Sequence, residues 1–192
     1  MNLSAVILAG GKSSRMGRDK ARLEIAGQTL LARQIALVRD AGAREVFISV
    51  RMGVDHTAAG CVVLVDKFPD AGPLSGIERA LVASASPLLL VLAVDMPAMT
   101  GTILGKVIAA CAGGRGAIPK SRHGIEPLAA IYPKTALDRL SIELGRGNNP
   151  GARWFADECV AAGLARFVKV TEAESGFFAS CNSPEDFERH MN

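Results

Sequence analysis

Residues 8–20 read LAGGKSSRMGRDK and close an apolar run that begins at Leu3. The chain leaves a strand-length segment, turns through Gly10 and Gly11, and then sets out Lys12, Arg15, Arg18 and Lys20 against one acid, Asp19. Two familiar phosphate patterns fail here. A P-loop built on Gly11-Lys12-Ser13 needs a glycine where Val6 stands, and the dinucleotide fingerprint needs spaced glycines where Gly10 and Gly11 are adjacent. What remains is a longer loop, not a direct turn into a helix. Glycines lack a Cβ, so backbone N–H groups can approach an anion closely. Arg15 can grip phosphate oxygens with two donors, and Lys20 can act as a mobile point charge. The stretch therefore predicts a phosphate cradle at the end of the first strand.

Working outward, apolar runs of strand length alternate with stretches of helical periodicity. Strands are predicted at Ala5–Leu8, Glu45–Val50, Val62–Val65, Leu88–Val94, Gly116–Pro119, Leu128–Tyr132 and Phe167–Val170. Helices are predicted at Thr29–Ala41, Leu74–Ser84, Thr100–Ala112, Thr135–Leu144, Gly151–Ala162 and Pro184–His190. Ser183 before Pro184, with Asp186 three residues on, reads as an N-cap and capping box for the last helix. Strand–helix alternation with nearly continuous apolar strands implies an α/β fold. It is a three-layer sandwich, with a mostly parallel sheet covered by helices on both faces. Ligands of such sheets sit at the carboxyl ends of the strands. Trp154 and Phe155 read as core, and Arg146 to Pro150 as a turn, with a mobile loop over a bound substrate as the alternative.

Composition bounds the function. With 192 residues and no linker rich enough to divide them, the chain reads as one domain, 1–192. A net charge of +3 argues against a nucleic-acid binder, which carries a strong basic excess. Cys61, Cys111, Cys159 and Cys181 are widely spaced, as are the histidines, which speaks against a zinc site or a disulfide framework. No apolar run is long enough to span a bilayer, and the N-terminal residues lack the basic region of a signal peptide. The expectation is a cytoplasmic protein with reduced thiols and no membrane partner.

LAGGKSSRMGRDK resembles the signature L-A-G-G-x-S-x-R-M-G-x-D-K of small cytoplasmic nucleotidyltransferases. It is most similar to that of the molybdenum cofactor guanylyltransferases. These join GMP from GTP to the terminal phosphate of molybdopterin and release pyrophosphate. The resemblance implies that Leu8, Ala9, Gly10, Gly11 and Lys20 bind the nucleotide, with Leu8-Ala9-Gly10-Gly11 looking like the guanine version of the loop. Asp95-Met96-Pro97 resembles the family's D-x-P, whose aspartate binds magnesium, so Asp95 is the implied Mg2+ ligand. One carboxylate suffices because magnesium takes its other ligands from phosphate and water. Asp66, followed by Gly72-Pro73-Leu74-Ser75-Gly76, resembles a strand-ending aspartate that contacts the nucleotide. Ser49 stands where the family strand ends in a nucleotide-contacting asparagine. Glu126 to Tyr132 resembles a strand bordering the acceptor site. Asn182 matches the second asparagine of a terminal N-x-N-T-P-E-E, with Ser180 replacing the first, and is the implied acceptor contact.

Three readings stay open at this level. The first is guanylyl transfer with Arg15, Lys20 and Asp95 as the catalytic residues, GTP and molybdopterin as substrates, and transient contact with proteins that mature molybdoenzymes. The second is a related nucleotidyltransferase that uses CTP, or a sugar or polyol phosphate as acceptor. The third is a non-catalytic nucleotide-binding accessory in cofactor delivery, against which the metal-ligand position of Asp95 argues.

Overall fold

The computed structural model describes residues 2–11, 19–68, 70–183, 186 and 187. Its strands are β1 (Leu3–Leu8), β2 (Glu24–Ile25), β3 (Gln28–Thr29), β4 (Glu45–Val50), β5 (Val62–Val65), β6 (Leu88–Ala93), β7 (Gly116–Ser121), β8 (Gly124–Ile125), β9 (Ala129–Pro133) and β10 (Ala165–Lys169). Its helices are α1 (Leu30–Asp40), α2 (Pro73–Ala83), α3 (Gly101–Ala109), α4 (Leu137–Gly145), α5 (Gly151–Ala161) and α6 (Glu172–Ser175). All seven strands read from the apolar runs are present, and so are the first five helices. The predicted helix Pro184–His190 lies outside the described residues except for Asp186 and Phe187. Its capping box is nonetheless formed. Asp186 N donates to Ser183 Oγ at 3.2 Å, and Ser183 N donates to Asp186 Oδ2 at 3.1 Å.

The main sheet runs β10-β7-β9-β6-β1-β4-β5, with β8 paired to β7. β1 is parallel to β4 and β6, β4 to β5, and β7 to β10. β9 is antiparallel to both β6 and β7. The reason is connection length. Parallel neighbours need a crossover of about a dozen residues or more, and only residues 122–128 separate β7 from β9.

Side chains along the central strands alternate between two cores. Leu3, Ala5 and Ile7 of β1 and Leu88, Leu90 and Leu92 of β6 face α1 and α3. Val6, Leu89 and Val91 face α2, α4 and α5. Because both faces are covered, the strands read as unbroken apolar runs. α1 and α3 start on threonine caps: Thr29 accepts from Ala32 N at 3.1 Å and Thr100 from Ile103 N at 3.4 Å. α2 starts with Pro73 at its first position, directly behind Gly72. The two-residue strands β2, β3 and β8 are too short to produce a periodic signal, and α6 is a single turn closed by its own capping box of Thr171 and Glu174.

Phe155 of α5 is fully buried and stacks on Tyr132 of β9, with ring centroids 4.8 Å apart and planes at 26°. The Tyr132 hydroxyl is satisfied by the Pro127 carbonyl at 2.8 Å, so the pair carries no unmet polar group. Phe155→Ala is expected to cost about 3–5 kcal/mol, read by urea unfolding. A loss under about 1 kcal/mol would mean that α5 is not anchored through this ring.

Candidate active site

The parallel register brings several strand ends level. Leu8 pairs with Ser49 on one side and Ala93 on the other, and Val50 pairs with Val65. The segments that follow these strands surround one cavity of about 460 Å³. Leu8, Ala9, Gly10, Gly11, Lys20, Ser49, Asp66 and Asp95, eight residues singled out in the sequence, all line it. Gly72 and Pro73 line it too, as the start of α2. Arg15 lies outside the described residues, as do Lys12 and Arg18. Asn182 stands beside the cavity and touches it through Lys20.

Lys20 opens a 3-10 turn, Lys20–Arg22, capped by Asp19, whose Oδ1 accepts from Ala21 N at 3.1 Å. Its ammonium donates to Asp95 Oδ2 at 2.8 Å and to Asn182 Oδ1 at 2.7 Å. The Lys20 and Asp95 side chains are only 15% and 20% exposed, so the pair is largely shielded from water and salt. Asp95 lies in the turn after β6, where Cys181 N donates to its backbone carbonyl at 2.9 Å and ties the C-terminal segment to the site. The second carboxylate oxygen of Asp95 carries no hydrogen bond among the described residues.

The other end of the cavity is built on Ser49. Its Oγ donates to Asp66 Oδ1 at 2.8 Å. Burial raises the Asp66 carboxyl above its ordinary value of 3.8, while the Ser49 hydrogen bond and the Arg51 charge pull it back. Gly76 of α2 lies hard against this serine. A Cβ there would fall 2.7 Å from Ser49 Cβ and 2.9 Å from Leu8 Cδ2. Gly10 plays a similar part on the loop. A Cβ on it would meet Arg51 N and Asp66 Oδ2, both at 3.2 Å, whereas Gly11 faces open space. The bare backbone at Gly10 thus lets β4 and β5 close on the loop, a packing role additional to the anion approach read from the sequence.

Among the described lining residues, Asp19, Asp66, Asp70 and Asp95 face only Lys20 and Arg51 as cations. No group of three or more His, Cys, Asp or Glu that could hold a metal occurs among the described residues. At the Lys20 side of the cavity Asp95 offers one unclaimed carboxylate oxygen among the described residues. That fits magnesium, which takes one or two protein carboxylates and completes its shell with phosphate and water.

Sequence reading missed Arg51 and His56, and singled out no residue within the segment that holds Asn149. Arg51 lines the cavity one residue past β4, where no motif marks it. His56 is buried, and its Nε2 lies 3.0 Å from Asp19 Oδ2. Asn149, in the turn Arg146 to Pro150, donates to the carbonyl of Asp70 on the cavity rim. The last two arise from long-range packing, which one-dimensional spacing does not encode.

A mostly parallel sheet with a glycine loop at its central strand end, faced by a lysine and a strand-end aspartate, is the arrangement of a nucleotide-binding α/β protein. A model of the MobA-like NTP transferase domain matches residues 5–181, and the chain belongs to that family. It is 42% identical over 190 residues to the probable molybdenum cofactor guanylyltransferase of Opitutus terrae, covering 97% of this chain and 94% of that protein. The fold is similar to that of molybdopterin-guanine dinucleotide biosynthesis protein A from Archaeoglobus fulgidus, with a TM-score of 0.69 at 22% identity, over 98% of this chain and 96% of that one. It is also similar to Rv0371c of Mycobacterium tuberculosis, solved as a complex with manganese, with a TM-score of 0.63 at 16% identity, over 100% and 98% of the two chains. No helix among the described residues is long and apolar enough to cross a membrane.

Two outcomes test this geometry. Gly76→Ala gains helix propensity of about 1 kcal/mol, but overpacking against Ser49 and Leu8 costs about 1–3 kcal/mol. A net loss in urea unfolding is expected, and a net gain would show that α2 can retreat freely. Asp66 titrates near 3.8 in the unfolded chain and higher in the folded one. The folded state therefore holds that proton more tightly, and stability falls as pH rises through the folded value. Asp66→Asn should exceed the native chain in stability at neutral pH, with the difference closing below pH 3.8. An equal difference at both pH values would exclude burial of the carboxylate as its cause.

Proposed function

We propose that the chain transfers GMP from GTP to the phosphate of molybdopterin, forming a guanine dinucleotide cofactor and pyrophosphate. The observation that carries this reading is the convergence of Lys20, Asp95 and Asn182 within 2.8 Å contacts beside the glycine loop, in a chain of this family. In the proposed reaction an acceptor phosphate oxygen attacks the α-phosphorus of GTP. The bond from that phosphorus to the bridging oxygen of the β-phosphate breaks, and pyrophosphate leaves. The acceptor oxygen is already anionic at neutral pH, so neither a protein nucleophile nor a general base is required.

The protein's task is then positioning and charge stabilisation. Gly10 and Gly11 would offer backbone donors to the phosphates. Lys20, now held by Asp95 and Asn182, would turn to the charge that develops on the α-phosphate and the leaving group. Arg15 would add a bidentate grip on phosphate oxygens. Asn182 would border the acceptor, at the side of the cavity where Lys20 lies. Ser49 would act through Asp66, holding its carboxylate toward the nucleoside.

Charge balance supports a metal in this scheme. A triphosphate entering beside four aspartates finds only Lys20 and Arg51 as cations among the described lining residues. The basic residues of the glycine loop and a divalent ion are the available sources of further positive charge. Magnesium, bound at Asp95, would supply neutralisation of phosphate oxygens. The proposed setting is the cytoplasm, where GTP and magnesium are abundant.

Lys20→Ala and Asp95→Ala should each lower turnover at least about a hundredfold, since one charged transition-state contact contributes about 3 kcal/mol. Pyrophosphate release that depends on GTP, molybdopterin and magnesium together is the readout, with circular dichroism confirming the fold. Native turnover in either folded variant would refute the assigned roles.

A further inference from the structure

The cavity contains a cation to which the proposed phosphate chemistry assigns no contact. Arg51 lines it from the end of β4, away from the Lys20–Asp95 pair. Its Nε is buried and has no hydrogen-bond partner among the described residues. A buried donor left unsatisfied is costly and asks for an explanation. The residue also packs against the glycine loop. Its backbone nitrogen and Cγ lie 3.2 and 3.3 Å from where a Gly10 Cβ would be, and Asp66 Oδ2 lies 3.2 Å from the same point. The stem of Arg51 and the Asp66 carboxylate thus flank the same bare glycine, and a donor-only guanidinium and an acceptor-only carboxylate line one cavity. One oxygen of that carboxylate is already engaged by Ser49.

The chemistry of this pair selects among the bases. Guanine presents, side by side, the O6 acceptor, the N1–H donor and the 2-amino donor. Adenine and cytosine present an amino donor where guanine has O6, which a guanidinium with no acceptor atom opposes. We propose that Arg51 is a specificity-determining residue that donates to O6 of a bound guanine while Asp66 accepts from the adjacent N1–H and 2-amino group. This rests on the reading of the cavity as a nucleotide site and adds to it the element that tells GTP from the other triphosphates. Uracil carries the same adjacent acceptor and donor, O4 and N3–H, so the pair also ranks UTP above CTP although both are pyrimidines.

Calorimetry of the native chain and of Arg51→Met and Arg51→Lys, with GTP, ITP, ATP, UTP and CTP in magnesium buffer, tests the proposal. The native chain should bind GTP over ATP and UTP over CTP. In Arg51→Met both preferences should shrink at least about fivefold, the low end of what a good donor pair contributes against the wrong base. The GTP-to-ITP ratio should stay constant, because those two share O6 and differ only at the 2-amino group. Arg51→Lys, which keeps a donor but loses the planar fork, should fall between the two. A folded Arg51→Met with the native GTP-to-ATP ratio overturns the proposal and leaves the nucleotide site standing. Should that variant not fold, the native chain still decides: equal binding of UTP and CTP overturns it. If the native chain binds no triphosphate, the reading of the cavity itself fails.

Discussion

The site depends on one constraint, the parallel registration of β1 between β4 and β6. Leu8 lies level with Ser49 and Ala93, so whatever follows each of those residues emerges at the same height on the same edge of the sheet. Gly10, Arg51 and Asp95 are two positions beyond those three partners, and Asp66 follows Val65, which is level with Val50. No long side chain has to reach across the molecule. The cavity is a consequence of strand register, and register is specified because both faces of these strands are buried: a slip by one residue would exchange the side chains committed to the two cores.

Electrostatics then decide what such an edge can hold. Lys20 and Asp95 are 75 residues apart in sequence and are joined by a largely shielded ion pair. Removing two charges from water is expensive, and a pair of this kind is weak evidence for a purely structural role. Here neither group is sealed in. Both line an open cavity, and Asp95 retains a free carboxylate oxygen among the described residues. The pair reads better as two functional groups that neutralise one another until a substrate with its own charges separates them. Asp19, itself a lining residue, and His56 behind it support this pair. Asp19 caps the turn that carries Lys20, and buried His56 packs against Asp19, so the lysine projects from a braced turn.

Much of this was legible in the chain itself. Buried strands announce themselves as apolar runs such as Leu88 to Ala93, and the glycine loop is recognisable from residue chemistry alone. Asp95 is found because a carboxylate just past a buried strand must lie at the sheet edge, and Asp66, past the more exposed edge strand β5, is found through the resembled motif. The reversal of β9 was not distinguished, since apolar content carries no direction and only the short connection from β7 settles it. Ser49 was read as a ligand contact, but its hydroxyl is engaged by Asp66, a partner 17 residues away that spacing does not reveal. Arg51 was passed over for the same reason. An arginine at a strand end is ordinary until the fold shows that its Nε is buried and unpaired.

The departure at position 49 and the glycine at 76 are two sides of one packing decision. The family pattern has asparagine where this chain has Ser49, and α2 approaches so closely here that even a Cβ on Gly76 would fall 2.7 Å from Ser49 Cβ. An amide side chain needs more volume than a hydroxymethyl group, and a close-packed interior does not yield it without displacing a helix. The serine therefore suits the tight helix, and its one donor is used to hold Asp66. Polar recognition that an amide could have supplied, with donor and acceptor in one group, has to come from elsewhere on the same wall. Asp66 supplies the acceptor. Arg51, two residues past Ser49 and packed by its backbone and Cγ against Gly10, is the cation among the described lining residues placed to supply the donor.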